Sequence, residues 1–460
     1  MRRRICAVVA GLLLAGMASV PAHAATDVDC NEQALRDAIT GSNGSMTGDT
    51  LNLTPYCVYT LTNDNGQLPE VTAPLVIHGR HATIRREPGA ANFYRVFRVG
   101  AVPLALDTLS VMNGSAVDNG GAVYLSASGA SLTATDVDFL GNAGDFGGAI
   151  ATEDGATVSL TRGTVGDNRA VTNGGGLYAV GTTAVTLDSV KVTGNRANVY
   201  AAGLYISTNA PAIINNSTIS RNTARFAAGG IYYTGIVSLA VTGSTIANNK
   251  VTDSLESGAG ILYNASAGTG TITDSTISGN TVTGFTTDDT ASNGGGGITM
   301  ETGPLTLDNT RVTGNQVIGA SAHGGGIAVN AIFGTPPPTL TLQNNTRVTG
   351  NLASGRYSQG GGLYANALAA PVSVSVSGSH IDGNKVTGTG SVSGGVYNIG
   401  GTFSFGSASS VNNNIAPNAP APGGVYTDTA ITTVDGATTF TGNTPTNCLL
   451  SPVAVTNCVN

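Results

Sequence analysis

A short motif of small residues followed by an aliphatic one returns at fixed intervals along the chain, in its fullest form as Gly174, Gly175, Gly176, Leu177 and Tyr178. The aliphatic falls at Val123, Ile150, Leu177, Leu204 and Ile231, and each of these four steps is 27 residues. It falls again at Ile261, Ile298, Ile327, Leu363, Val396 and Val425, with steps of 29 to 37. A period of this length means a solenoid: each repeat is one turn of structure that buries its apolar side only by stacking on its neighbours.

A second motif, an aliphatic residue or Phe followed three places later by Asn, runs in phase with the first, from Phe139 with Asn142 to Phe440 with Asn443. The distance from the glycine-motif aliphatic to this Asn is 17 to 19 residues in nine of the eleven coils, whereas the distance onward to the next coil ranges from 8 to 18. Insertions are thus confined mostly to one corner. Within the constant segment Val185 and Leu187, then Val190 and Val192, read as two short strands, and Leu177 with Ala179 as a third. Nothing in the coils carries a helical stripe. The reading is an all-β chain: a right-handed parallel β-helix with three sheets and about 12 coils, each strand pairing with its counterpart one coil on. Glycine then serves a corner where the chain packs tightly under the coil above. The Asn column can stack, each amide bonding the next coil, and Ala or Val two places later (Ala170, Ala197, Val251) returns to the interior.

The ends need covering, because an open coil exposes unpaired backbone groups. Residues 31–40 form the one helical pattern, with Asn31 as N-cap and Leu35, Ala38 and Ile39 on one face, and this helix is expected to cap the first coil. Residues 1–24 read as an export leader: Arg2, Arg3 and Arg4, an apolar stretch, then Ala22, His23 and Ala24. Its loss would take the formal charge from −7 to −10 by removing those three arginines, which disfavours nucleic acid as a partner. No later stretch is long and apolar enough for a transmembrane segment. Four cysteines remain, Cys30, Cys57, Cys448 and Cys458, expected as disulfides in an exported chain. Three pairings are possible; Cys30 with Cys57 and Cys448 with Cys458 close the shortest loops. The organisation is leader 1–24, cap and irregular coils 25–103, repeats 104–443, and a C-terminal cap 444–460.

The opening Cys30, Asn31, Glu32, Gln33, Ala34, Leu35, Arg36, Asp37, Ala38 and Ile39 resembles the CSLREA-type N-terminal cap of secreted bacterial β-helix proteins, with an insertion and with Asp37 where Glu is usual. The coils resemble polymorphic outer membrane protein repeats: their Gly-Gly-Ala-Ile and Phe-x-x-Asn signatures stand here as Gly147, Gly148, Ala149, Ile150 and Phe139, Leu140, Gly141, Asn142, although most coils put Ile or Val in place of that Phe. The resemblance implies a pectin-lyase-like superhelix and extracellular or cell-envelope placement, and carries no single activity. Autotransported members end in a membrane barrel; the 17 residues after Asn443 cannot supply its strands, so export by the leader alone is expected.

Chemistry has few candidates. Arg311, Arg347 and His380 precede the Asn-motif aliphatic in three successive coils, with Asp382 beyond, forming either a basic strip suited to an acidic glycan or the decoration of a solvated sheet face that discourages edge pairing. Asp288 and Asp289 sit in the longest corner insertion. The Asn-Thr-Asp, Asp-pair and Gly-His-Gly set of polygalacturonases is missing; His323 follows Ala322. Tyrosines after the inward aliphatic turn outward in two runs, Tyr178, Tyr205, Tyr232 and Tyr364, Tyr397, Tyr426, and are expected to form a flat aromatic platform for sugars, a stack that stabilises the sheet, or a row covered by a neighbouring loop. The expected function is a secreted or cell-surface β-helix without catalytic or metal-ligating residues and without cofactor, adhesive, glycan-binding or structural, with extracellular polysaccharide or cell-surface glycan as partner. The alternative is a polysaccharide lyase or glycoside hydrolase acting on an acidic polysaccharide, with calcium only in that case.

Overall fold

The computed structural model describes residues 25–459 apart from positions 46, 154, 182, 254–257, 285–291, 332–334, 418–420 and 429–432. The leader expected at 1–24 and the pair Asp288 and Asp289 lie outside the described residues.

One coil shows how the sequence builds the fold. It runs through the strands Leu177–Gly181, Ala184–Asp188, Lys191–Thr193 and Arg196–Ala197. Each pairs in parallel with the same segment of the next coil, Leu177 opposite Leu204, Val185 opposite Ala212, Val192 opposite Ile219 and Ala197 opposite Ala224. Repetition stacks these into a first sheet of 23 strands, a second of 12 and a third of 9, a right-handed parallel β-helix of about 14 turns. That is slightly more than the motif count, because Thr26–Val28, Asp49–Leu53, Leu75–Arg86 and Pro103–Met112 add rungs to the first sheet before the first glycine motif.

The assignment of strands to faces differs from the sequence reading. The segments around Val185 and Val192 both belong to the first sheet, bent between them at Ser189, where φ is +59°. The same position in later coils is Asn216, Asp274 or Asn309, with φ between 45° and 49°, and short polar side chains tolerate that left-handed conformation. The third sheet is made of strands as short as Arg196–Ala197, too brief to show an alternation.

Alternation along the first and second sheets sends Leu177, Ala179, Val185, Leu187, Val190 and Val192 into one continuous core, and all are buried. Each large aliphatic so placed contributes about 1.5–3 kcal/mol. Ala170, Ala197, Val251 and Val282 are buried too, but in satellite columns apart from that core. At the glycine corner Gly174 has φ +70°, and a Cβ on Gly175 would lie 2.5 Å from the carbonyl oxygens of Ala202 and Arg196 in the coil above.

The asparagine column is a buried ladder. Asn222 donates from Nδ2 to the Val192 carbonyl at 3.0 Å and to Asn249 Oδ1 at 2.9 Å, while its own Oδ1 accepts from the backbone N–H and Nδ2 of Asn195 at 3.0 and 2.9 Å. The pattern repeats from Asn142 to Asn443, so every amide is satisfied without water.

Both ends are covered. The helix Glu32–Ser42 starts at Asn31, whose Oδ1 accepts from the Ala34 N–H at 2.8 Å, and it buries Leu35 and Ile39; it runs two residues past the expected Thr40. Cys30 bonds Cys57 beside it, and Cys448 bonds Cys458 at the far end, the pairings with the shortest loops. There Asn447 stands in for the Asn of a further coil: its Oδ1 accepts from the backbone N–H and Nδ2 of Asn443 at 3.1 and 2.9 Å. Among the described residues no helix is long and apolar enough to cross a membrane.

Candidate functional site

Two outward columns hold the residues that the sequence singled out, and they lie on different faces. The first belongs to the second sheet. Register places Tyr178 opposite Tyr205 and Tyr205 opposite Tyr232, one residue after the inward Leu177, Leu204 and Ile231. All three tyrosines are half-buried. Their rings lie 5.0 Å apart, centroid to centroid, with interplanar angles of 24° and 10°. Rings so stacked cover one another's faces, so the row offers ring edges rather than the flat platform expected. Phe146 extends it, 4.9 Å from Tyr178, and Tyr200 flanks it, 5.9 Å from Tyr232. The sequence reading missed both because they come from the corner before the glycine motif. Their signal was positional, since Asn119 pairs with Phe146 and Tyr200 with Ala227 one coil apart. Toward the N-terminal cap the column continues at Tyr124, whose ring lies under the Arg95 guanidinium at 4.8 Å and whose hydroxyl bonds the Glu153 carboxylate. Arg95 is itself paired with Asp118.

The second run of tyrosines is placed differently. Tyr364 and Tyr397 point outward from the sheet as expected but are only 5% and 7% exposed, which corrects their reading as a surface; Tyr426 stays half-buried. The cause is the lengthened corner. There Ser292–Gly294 pairs with Ser321–His323 as a two-stranded ribbon, continued by single bridges from His323 to Gln359 and from Gln359 to Val392. The intervening outward positions, Leu262, Thr299 and Ala328, are fully buried as well. His323 stacks on Tyr364 with centroids 4.5 Å apart and planes 9° from parallel. Burial holds the imidazole down to about 4, so it is neutral, and pushes the Tyr364 phenol up to about 12.

The basic strip lies on the first sheet, where Arg311 pairs with Arg347 and Arg347 with His380, so the three stand in one column. Arg311 and Arg347 are exposed. Asn345 Oδ1 accepts from Nε and Nη2 of Arg347 at 3.2 and 2.9 Å. His380 Nδ1 lies 2.8 Å from Ser410 Oγ, and that hydroxyl also lies within hydrogen-bond distance of both Asp382 oxygens, at 2.8 and 2.9 Å. The Asn412 N–H donates to Asp382 at 2.7 Å. Ser410 and Asn412 escaped the sequence reading because their coil replaces the usual Thr pattern with Ser-Val-Asn. Among the described residues no group of three or more His, Cys, Asp or Glu could hold a metal ion.

With this geometry in hand, a model of the right-handed β-helix region matches residues 121–294 and 203–416, together more than half of the chain. The chain belongs to the right-handed β-helix family. In this β-helix protein the match takes in Tyr178, Tyr205, Tyr232, Tyr364 and Tyr397 together with the basic column from Arg311 to His380. Comparison with curated proteins and with solved structures finds no significant match.

Proposed function

We propose that this β-helix protein is an exported, non-catalytic glycan-binding protein of the cell surface or medium, working as an adhesive or structural element. The observation that carries the reading is the aromatic row Phe146, Tyr178, Tyr205 and Tyr232, left half-open in the 27-residue coils. Ring edges and phenol groups at strand spacing suit the mixed apolar and hydroxyl surface of a sugar chain lying along the axis. Two disulfides and the leader pattern support export.

A glycan array tests it. The wild-type protein is expected to bind a subset of extended glycans, the Tyr178→Phe, Tyr205→Phe, Tyr232→Phe variant to bind them weakly, and the corresponding triple Ala variant not to bind. The Phe variant keeps the ring stack, so its loss of binding reports on the phenol groups and not on folding. Silence of the wild type across the array, or undiminished binding by both variants, overturns the reading.

A further inference from the structure

Of the seven exposed arginines in the cap and the early coils, four sit against carboxylates: Arg162 with Asp136 at 2.7 Å, Arg225 with Asp253 at 2.9 Å, Arg98 with Glu70 at 3.6 Å and Arg80 with Asp27 at 3.8 Å. The column on the first sheet, like Arg169 and Arg196 on the third, lacks such partners for its arginines among the residues described, and differs from that pair in what surrounds it. Among the described residues neither Arg311 nor Arg347 meets a carboxylate, although acids are close by in sequence. Those acids are occupied elsewhere: Asp382 accepts from Asn412 and is bonded by Ser410, and Asp308 accepts from Gln343 at 2.8 Å and from Asn344 at 2.9 Å. Like charges placed directly opposite on adjacent strands are unfavourable, and here register stacks Arg311 on Arg347; the column continues at His380, whose Nδ1 lies 4.0 Å from Asp382. In a chain of net charge −7 such a run is a local reversal of sign.

The column is also shaped. Asn345 holds two nitrogens of Arg347, and Ser410 holds Nδ1 of His380, which fixes the imidazole and leaves Nε2 as the nitrogen available to a ligand. Beside the cations Thr313 and Thr349 form a parallel row of half-buried hydroxyls, their Oγ1 atoms 3.4 Å apart. The combination is two guanidinium groups and an imidazole in one column, about 4.8 Å apart along the axis and flanked by hydroxyls. It matches a polymer that carries an anionic group and free hydroxyls on successive units.

We infer that the outward face of the first sheet from Arg311 to Ser410 binds an anionic polysaccharide, its carboxylate or sulfate groups bridging Arg311, Arg347 and His380 while Thr313 and Thr349 meet its hydroxyls. This face is separate from the tyrosine row, so either site can fail without the other. Guanidinium forks take such oxyanions in paired hydrogen bonds, and the interaction weakens with salt.

The test measures binding of the whole protein to immobilised polygalacturonate, dextran sulfate, neutral dextran and a single-stranded oligonucleotide, at low and high ionic strength. The control is a second variant with the same charge change on another face, Arg169→Gln with Arg196→Gln, which are neighbours on the third sheet and exposed. Binding to polygalacturonate or dextran sulfate, and not to neutral dextran, is expected, and which of the two binds assigns carboxylate or sulfate. Arg311→Gln with Arg347→Gln should weaken it about tenfold, and the control pair by less than about twofold. Absence of binding to both polyanions, equal losses in the two variants, or equally tight binding of the oligonucleotide would each overturn the inference.

Discussion

The 27-residue coils around Tyr205 and the longer coils around Tyr364 share one backbone plan and one inward pattern, yet treat the same outward tyrosine in opposite ways. In the first group the corner before the second sheet is short, and Tyr178, Tyr205 and Tyr232 stay half-open. In the second the same corner is longer, folds into a ribbon beside the second sheet, and leaves Tyr364 and Tyr397 buried together with His323. A solenoid can therefore change a surface into an interior while its three sheets run on through the change. Length at one corner is the variable.

The ladder is common to both halves, so breaking it should erase the contrast. Asn222→Ala and Asn351→Ala each strand a neighbouring backbone N–H, a side-chain amide and a carbonyl inside the protein, and each should cost roughly 3–5 kcal/mol in urea denaturation. A loss in one half and not the other would show that the halves differ in more than their corner. Tyrosine substitutions should expose the contrast: Tyr364→Ala removes a buried ring at about 3–5 kcal/mol, whereas Tyr205→Ala removes a half-buried one at about 1–2 kcal/mol. Equal losses would mean that the ribbon does not cover Tyr364 in solution.

Mild acid should act on the long-coil half through His323. The unfolded His323 takes up its proton near 6.5 and the folded one only near 4. Between those values the unfolded chain binds more protons, so stability falls as pH drops from 6.5 to 4 and then levels, by about 3 kcal/mol for this group. His323→Leu should flatten that part of the pH profile relative to wild type. Parallel profiles for the two proteins would place His323 in solvent.

The sequence carried the fold because a fixed 27-residue step and two phased motifs leave few alternatives, and it carried the ladder because eleven asparagines at one position admit a single arrangement. It could not carry the bend at Ser189, since the bent position holds Ser, Asn, Gly or Asp in different coils and the conformation, not the residue, is what repeats. Cover by a neighbouring loop is one of the readings, but the sequence could not say which tyrosines it covers: the neighbours of Tyr364 in the sequence match those of Tyr178, and the cover comes from residues such as His323 and Val392 in other coils. The basic column was legible as a column from spacing. That its arginines lack carboxylates was not, because Asp308 stands three residues from Arg311 and Asp382 lies one coil on from Arg347.

A stack of coils has no intrinsic length, and something must tell it where to stop. Asn447 does so by imitation. It offers the last rung the same two hydrogen bonds that another full turn would bring, from only four residues away, and its own Nδ2 is spent on the Val459 carbonyl at 2.6 Å inside the disulfide-closed tail. To Asn443 the tail is indistinguishable from a continuation; to the next incoming strand it is a closed door. That recognition reads only the final rung and is independent of how many coils precede it.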